Sequence, residues 1–163
     1  MSTHALPARR GLPSGLALVV FLLAVAAVAG VGGLAAANAS DTYDRLELPA
    51  FAPPSWLFGP VWTVLYVLIA VAGWLVWRQV GVDRAMAAYA VQLVLNACWT
   101  PLFFAGDWYG AALVEIVVLV AAVVVTIGMF WRRQRAAAYL LLPYAAWVGF
   151  ATALNASIWW LNR

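Results

Sequence analysis

This sequence predicts an all-helical membrane protein, a bundle of five transmembrane helices, on three observations. Hydrophobic residues make up 67% of the 163 residues and charged residues 9%, where a soluble domain carries roughly 45–50% and 25%. So few charges cannot cover a globule, which excludes a soluble monomer, and disordered chains are polar and charged, which excludes disorder. The apolar residues also fall into five runs, each near the roughly 20 helical residues that cross a bilayer core about 30 Å thick. Runs of this length exceed any strand and lack the alternation of a barrel strand.

Residues 1–14 read as an N-terminal extension ahead of a membrane domain over 15–163, with spans at about 16–37, 56–77, 85–105, 108–131 and 136–162. The first span, Leu16 to Ala37, is uncharged. Arg9 and Arg10 before it and Ala37-Asn38-Ala39 after it also fit a cleavable signal peptide. An apolar run of about 22 residues is longer than the usual 7–15 of such peptides, which favours a span. The second, Trp56 to Trp77, follows Pro53 and Pro54, which end a long connection where a missing N–H costs little. The third, Ala85 to Ala105, holds two amides, Gln92 and Asn96, costly in a membrane unless partnered. Pro101 is expected to kink it and free a carbonyl. The fourth, Trp108 to Trp131, carries the single intramembrane charge, Glu115. That group is either a proton or ligand site or a carboxylate hydrated near Trp108 and the interface, the second being favoured. The fifth, Ala136 to Asn162, is uncharged.

The formal net charge is +3 and all nine basic residues are arginine. They stand in short pieces between apolar runs, not on one basic face, so they read as topology signals and no nucleic-acid partner is expected. With the N-terminus cytoplasmic, Arg9, Arg10, Arg78, Arg84, Arg132, Arg133 and Arg135 lie inside and Arg45 and Arg163 outside. That bias places the chain in a bacterial inner membrane with the C-terminus outside. The Asn38–Ser55 connection and the Asp107 turn then face outward. The lone Cys98 permits no internal disulfide and is expected as a small core residue. The lone His4 lies in the polar tail, so no Cys/His metal cluster is expected.

The chain has ten tryptophans. Trp56, Trp77, Trp108, Trp131, Trp159 and Trp160 stand at span ends, as in an interfacial aromatic belt. Trp62 and Trp147 lie inside spans, where an indole N–H wants an acceptor; core packing and ligand contact both remain open for each. Trp62 and Tyr66 share a helix face, as do Gln92, Asn96, Trp99 and Phe103, and as do Trp147, Ala151, Leu154, Asn155 and Ile158. The amides equally suit bonds between helices. Ala151 one turn from Trp147 leaves room beside a flat indole. Trp62 falls about 9 Å below the outer end of its span, and Asn96, Glu115 and Ala151 within about 10–15 Å of theirs. These groups meet in the outer half of the bundle as a pocket for a flat, largely apolar ligand.

The order PPxWxFGPVWTxLY at Pro53–Tyr66 resembles the translocator protein family, also known as tryptophan-rich sensory proteins and peripheral benzodiazepine receptors. QLxLNxxWTPxFF at Gln92–Phe104 and PYxxWxxFATxLN at Pro143–Asn155 resemble its later motifs. The resemblance covers roughly residues 15–162. It implies a five-helix bundle, commonly a homodimer, acting as sensor or transporter. Its implied ligands are porphyrins (protoporphyrin IX or haem), sterols and isoquinoline or benzodiazepine-type compounds, held beneath the first long loop with no metal or other cofactor. By motif position it implies Trp62, Asn96, Trp147, Ala151 and Leu154 as ligand contacts. Tyr66, Gln92, Trp99 and Phe103 join them through the shared faces. Light-driven oxidative breakdown of protoporphyrin IX, with Trp62 and Trp147 as redox-active indoles, is the alternative activity it implies. The residues themselves show no acid–base or nucleophile constellation. The chain departs from the family at Ala50 and Phe51, where tryptophan is common, and at Ser55, where animal members carry a basic residue. The animal sterol pattern needs a tyrosine absent from Leu154–Trp160, so porphyrin is the preferred ligand class. Small residues four apart, Ala26/Gly30 and Ala29/Gly33, would allow close helix contact within or between chains.

Overall fold

The computed structural model describes residues 13–163; His4, Arg9, Arg10 and most of the N-terminal extension lie outside the described residues. Six helices follow in order: α1 Ser14–Ala35, α2 Ala39–Arg45, α3 Phe58–Val80, α4 Arg84–Thr100, α5 Tyr109–Trp131 and α6 Arg135–Leu161. A 3₁₀ turn, Ser55–Leu57, leads into α3, and a π turn, Pro101–Ala105, extends α4. Among the described residues there is no strand. The five helices α1 and α3 to α6 are long and apolar enough to cross a membrane. The chain is thus an all-α, five-span membrane bundle.

Local chemistry explains the element ends. Gly81 closes α3 at φ +65°, a left-handed conformation that costs glycine nothing. Asp83 caps α4, its Oδ1 accepting from the N–H groups of Ala85 at 2.9 Å and Met86 at 3.1 Å. At Pro101 the α-helix gives way to the π turn, since proline has no N–H to continue the ladder. The short α2 lies inside the stretch expected as a loop. Asp41 in its first turn and Arg45 in its last complement the helix dipole.

The spanning helices close a ring in the order α1, α3, α6, α5, α4 and back to α1. The ends of α3 and α4 joined by the Gly81–Asp83 turn, and of α5 and α6, form an arginine-rich end. The opposite end carries α2 and the long loop. The arginine-rich end is tightly packed. A Cβ on Gly73 would lie 2.6 Å from the Tyr89 ring and 2.9 Å from Phe21. Tyr89 donates to the Ile69 carbonyl at 3.1 Å and stacks on Phe130 at 5.9 Å. Arg133 clamps the two turns through its ion pair with Asp83 at 2.6 Å.

One expected core residue is outside. Cys98 is exposed, because Gln92, Asn96, Trp99 and Phe103 define the inward face of α4 and Cys98 points away from it. In a bundle read as membrane-spanning, that face meets lipid.

Candidate ligand-binding site

The site begins on α3. Trp62 and Tyr66, one turn apart, stack with ring centres 5.1 Å apart and planes 29° from parallel. Their face forms one wall of a cavity of about 240 Å³ at the loop end, between α1, α3 and the end of α4. Trp99, Thr100 and Phe104 form a second wall, and Ala29, Gly32, Gly33 and Ala36 of α1 a third. Tyr43 of α2 and Phe58 of α3 also line it, edge-to-face with centres 5.7 Å apart. Burial of Tyr43 pushes its phenol up to about 12, so it stays neutral.

A second, much smaller space of about 10 Å³ lies on the α6 side, lined by Phe103, Ala151, Leu154 and Asn155. Tyr43, Phe58, Trp99 and Phe104 are walls of both. The residues anticipated as ligand contacts are therefore divided. Trp62, Tyr66 and Trp99 face the larger cavity; Trp99, Phe103, Ala151 and Leu154 face the smaller one. Trp147, Gln92 and Asn96 line neither.

Asn96 is the centre of a chain of hydrogen bonds across the bundle. Tyr66 donates to its Oδ1 at 3.0 Å, and its Nδ2 donates to the Tyr144 hydroxyl at 3.1 Å. Nearer the loop, Trp99 Nε1 donates to Asn155 Oδ1 at 3.2 Å, and Asn155 Nδ2 to the Tyr109 carbonyl at 2.9 Å. These bonds join α3, α4, α5 and α6 around the two cavities. Trp147 is half-buried, packed edge-on against Phe58 at 5.8 Å and tilted against Phe150 at 5.4 Å. Among the described residues its indole N–H, both amide atoms of the buried Gln92 and both Glu115 oxygens are buried without a partner. The Glu115 finding corrects the expectation of a hydrated carboxylate. The residue flanks the buried Ile116 and Leu119 face of α5, which turns its oxygens away from water.

The loop is tied down over this end. The Asn162 side chain accepts from the Glu47 N–H at 2.9 Å and donates to the Glu47 carbonyl at 3.0 Å. Phe51 packs on Phe150 of α6 at 6.2 Å. Sequence reasoning passed over Phe58, although it stands inside the first motif, and Tyr43, which no motif marks. It read the small residues of α1 only as helix contacts. No group of three or more potential metal ligands occurs among the described residues.

Comparison with known proteins bears on this geometry. The TspO/MBR family model matches residues 19–161. The chain is similar to a tryptophan-rich protein TspO from Archaeoglobus fulgidus, 41% identical over 90% of this chain and 97% of that protein. It is similar to the human translocator protein, 37% identical over 72% of each chain. It is also similar to a tryptophan-rich sensory protein from Cereibacter sphaeroides, 36% identical over 88% of this chain and 90% of that one.

Proposed function

The chain belongs to the TspO/MBR family, and from that premise we propose that it binds a flat, largely apolar ring molecule of the tetrapyrrole class, protoporphyrin IX or haem, as a membrane sensor or translocator. The observation that carries this is the stacked Trp62–Tyr66 pair forming one wall of the cavity beneath the loop. A macrocycle presents two π faces, and offset stacking on indole and phenol rings favours it over an aliphatic chain of equal area.

At about 240 Å³ the cavity falls just short of the roughly 300–1,000 Å³ of drug-sized ligand sites. The smaller space lies directly behind Phe58 and Tyr43. Phe58 is a wall of both and packs on Trp147, so a ligand that displaces it would reach Ala151, Leu154 and the Trp147 edge. Asn96 then serves as a positioning residue, holding the Tyr66 phenol in plane, since both ends of its amide are engaged within the protein. The arginine bias supports an inner-membrane placement with the loop end outside, and family membership supports a homodimer.

The test is a titration of protoporphyrin IX into detergent-purified protein, followed by tryptophan quenching. Saturable micromolar quenching is expected. Trp62→Leu should weaken it about threefold to tenfold, the value of one aromatic stack. Trp147→Phe should weaken it too if Phe58 moves as described. Unsaturable quenching, or saturable quenching indifferent to both substitutions, sinks the assignment.

A further inference from the structure

We infer that the ligand enters this cavity sideways from the bilayer, through a window between α1 and α3, and not from water through the loop; the inference rests on the binding function proposed above. The window is where cavity wall and outer surface coincide. Gly33 on α1 and Gly59 and Thr63 on α3 line the cavity, and all three are exposed. A Cβ placed on Gly33 or Gly59 meets nothing within 4 Å. Neither glycine is covered by the facing helix here. The two helices are pinned at the other end, where Trp74 Nε1 donates to the Ser14 carbonyl at 2.9 Å and Phe21 packs on Trp77 at 6.4 Å.

The chemistry of the rim suits a molecule arriving from lipid. The Thr63 hydroxyl donates to the Gly59 carbonyl at 2.9 Å, so it presents no free O–H at the rim. Gly59 and Thr63 lie in the first two turns of α3, within about 8 Å of its start. Span ends lie at the membrane interface, where a molecule with an apolar ring and a polar edge keeps one in hydrocarbon and the other among headgroups. The loop, in contrast, is closed by the paired Asn162–Glu47 bonds, by Phe51 on Phe150 and by the buried Tyr43 on Phe58. Opening it breaks all of these; entering between α1 and α3 leaves the Asn162–Glu47 bonds and the Phe51–Phe150 contact in place.

The test is the association rate of protoporphyrin IX with the full chain in phosphatidylcholine vesicles, by stopped-flow quenching, after the same vesicles show saturable binding. Gly33→Leu and Gly59→Leu narrow the window, from positions where a Cβ meets nothing within 4 Å. Gly30→Leu, also exposed and with open space around it but outside the cavity lining, is the control on α1. Asn162→Ala loosens the loop. The window variants should slow association by about tenfold and slow dissociation as well. Gly30→Leu and Asn162→Ala should match the wild-type rates. Near-UV circular dichroism checks that each variant is folded, and the two window variants test the route independently. Wild-type rates in the window variants, or faster association in Asn162→Ala, overturn the route. So does weaker affinity at an unchanged association rate, since Gly33 and Gly59 would then act as cavity walls alone. A wild type that shows no saturable binding removes the binding function itself, and the route with it.

Discussion

The Tyr66 hydroxyl and the Asn96 side chain meet at 3.0 Å across the middle of the bundle, although α3 and α4 are neighbours of α1 and not of each other in the helix ring. The same amide reaches on to Tyr144 of α6 at 3.1 Å. One asparagine thus spans three helices in a region where an unpaired polar group has no water to turn to.

Asn96→Ala is expected to destabilise the protein by about 1–3 kcal/mol, because it strands two phenols at once. Tyr144→Phe should cost less, leaving only the Nδ2 of Asn96 without its acceptor, with Tyr66 still paired. Thermal unfolding in detergent, followed by circular dichroism, ranks the two; a larger loss in Tyr144→Phe would contradict the bonding order described.

Gln92 predicts the opposite sign. Its amide is buried with neither atom paired among the described residues, so replacing it by leucine removes a desolvation cost and fills similar volume. Gln92→Leu should leave the melting temperature unchanged or raise it. Because Gln92 lines neither cavity, protoporphyrin IX affinity should stay within about twofold of wild type, a difference of about 0.4 kcal/mol. A stronger loss of affinity would place the amide in contact with ligand.

The Asp83–Arg133 pair sets a pH dependence. Partial burial works to raise the Asp83 carboxyl. The Met86 N–H, the Arg133 guanidinium and the Ala85 N–H outweigh it and hold the group below its ordinary value. A depressed folded-state value means the carboxylate stabilises the fold above its unfolded value, about 3.9. That stability is lost as the pH falls through the lower folded value. The melting temperature should therefore drop on acidification below about pH 4. In Asp83→Asn it should start lower and show a shallower acid limb.

Gly73→Ala tests the packing at the arginine-rich end. The added methyl would sit 2.6 Å from the Tyr89 ring, so Tyr89 must shift and strain its bond to the Ile69 carbonyl. Overpacking of this kind costs about 1–3 kcal/mol. Gly30→Ala, with nothing within 4 Å, should be neutral or slightly stabilising, since alanine is the better helix former. Equal melting temperatures for the two would contradict the close approach.

Asn162→Ala should release the loop. Amide hydrogen exchange across Leu46–Pro54 is expected to rise, with exchange in α3 and α4 unchanged. Exchange in the loop identical to wild type would mean that Phe51 and Tyr43 hold it without the Glu47 bonds.

Much of the architecture was legible in the sequence because a bilayer imposes a one-dimensional rule. Uncharged runs such as Leu16–Ala37 and Ala136–Asn162 have one physical option, a helix that satisfies its own backbone. The five spanning helices begin and end within three residues of those runs, counting the 3₁₀ and π turns. The shared inward face of Gln92, Asn96, Trp99 and Phe103 also followed from helical spacing, and all four are buried. The same periodicity, applied to Cys98, was overridden by composition: an apolar stretch looks like core, yet in a membrane the apolar face is often the lipid face.

What sequence alone determined, then, was the membrane class, the five helices, their inward faces and the family carried by the three motifs. Tertiary structure decided which inward residues share a space. Helix spacing gives the faces of Trp147, Asn96 and Gln92, but the packing of the helices in their ring leaves all three outside both cavities. Phe58 and Tyr43 entered as the walls between those cavities because a loop brought α2 across the end of α3, a contact between side chains fifteen residues apart that no periodicity encodes. Local spacing fixes the direction a side chain takes from its own helix; what it meets there depends on where the other helices are placed, and that is set by the packing of the whole bundle.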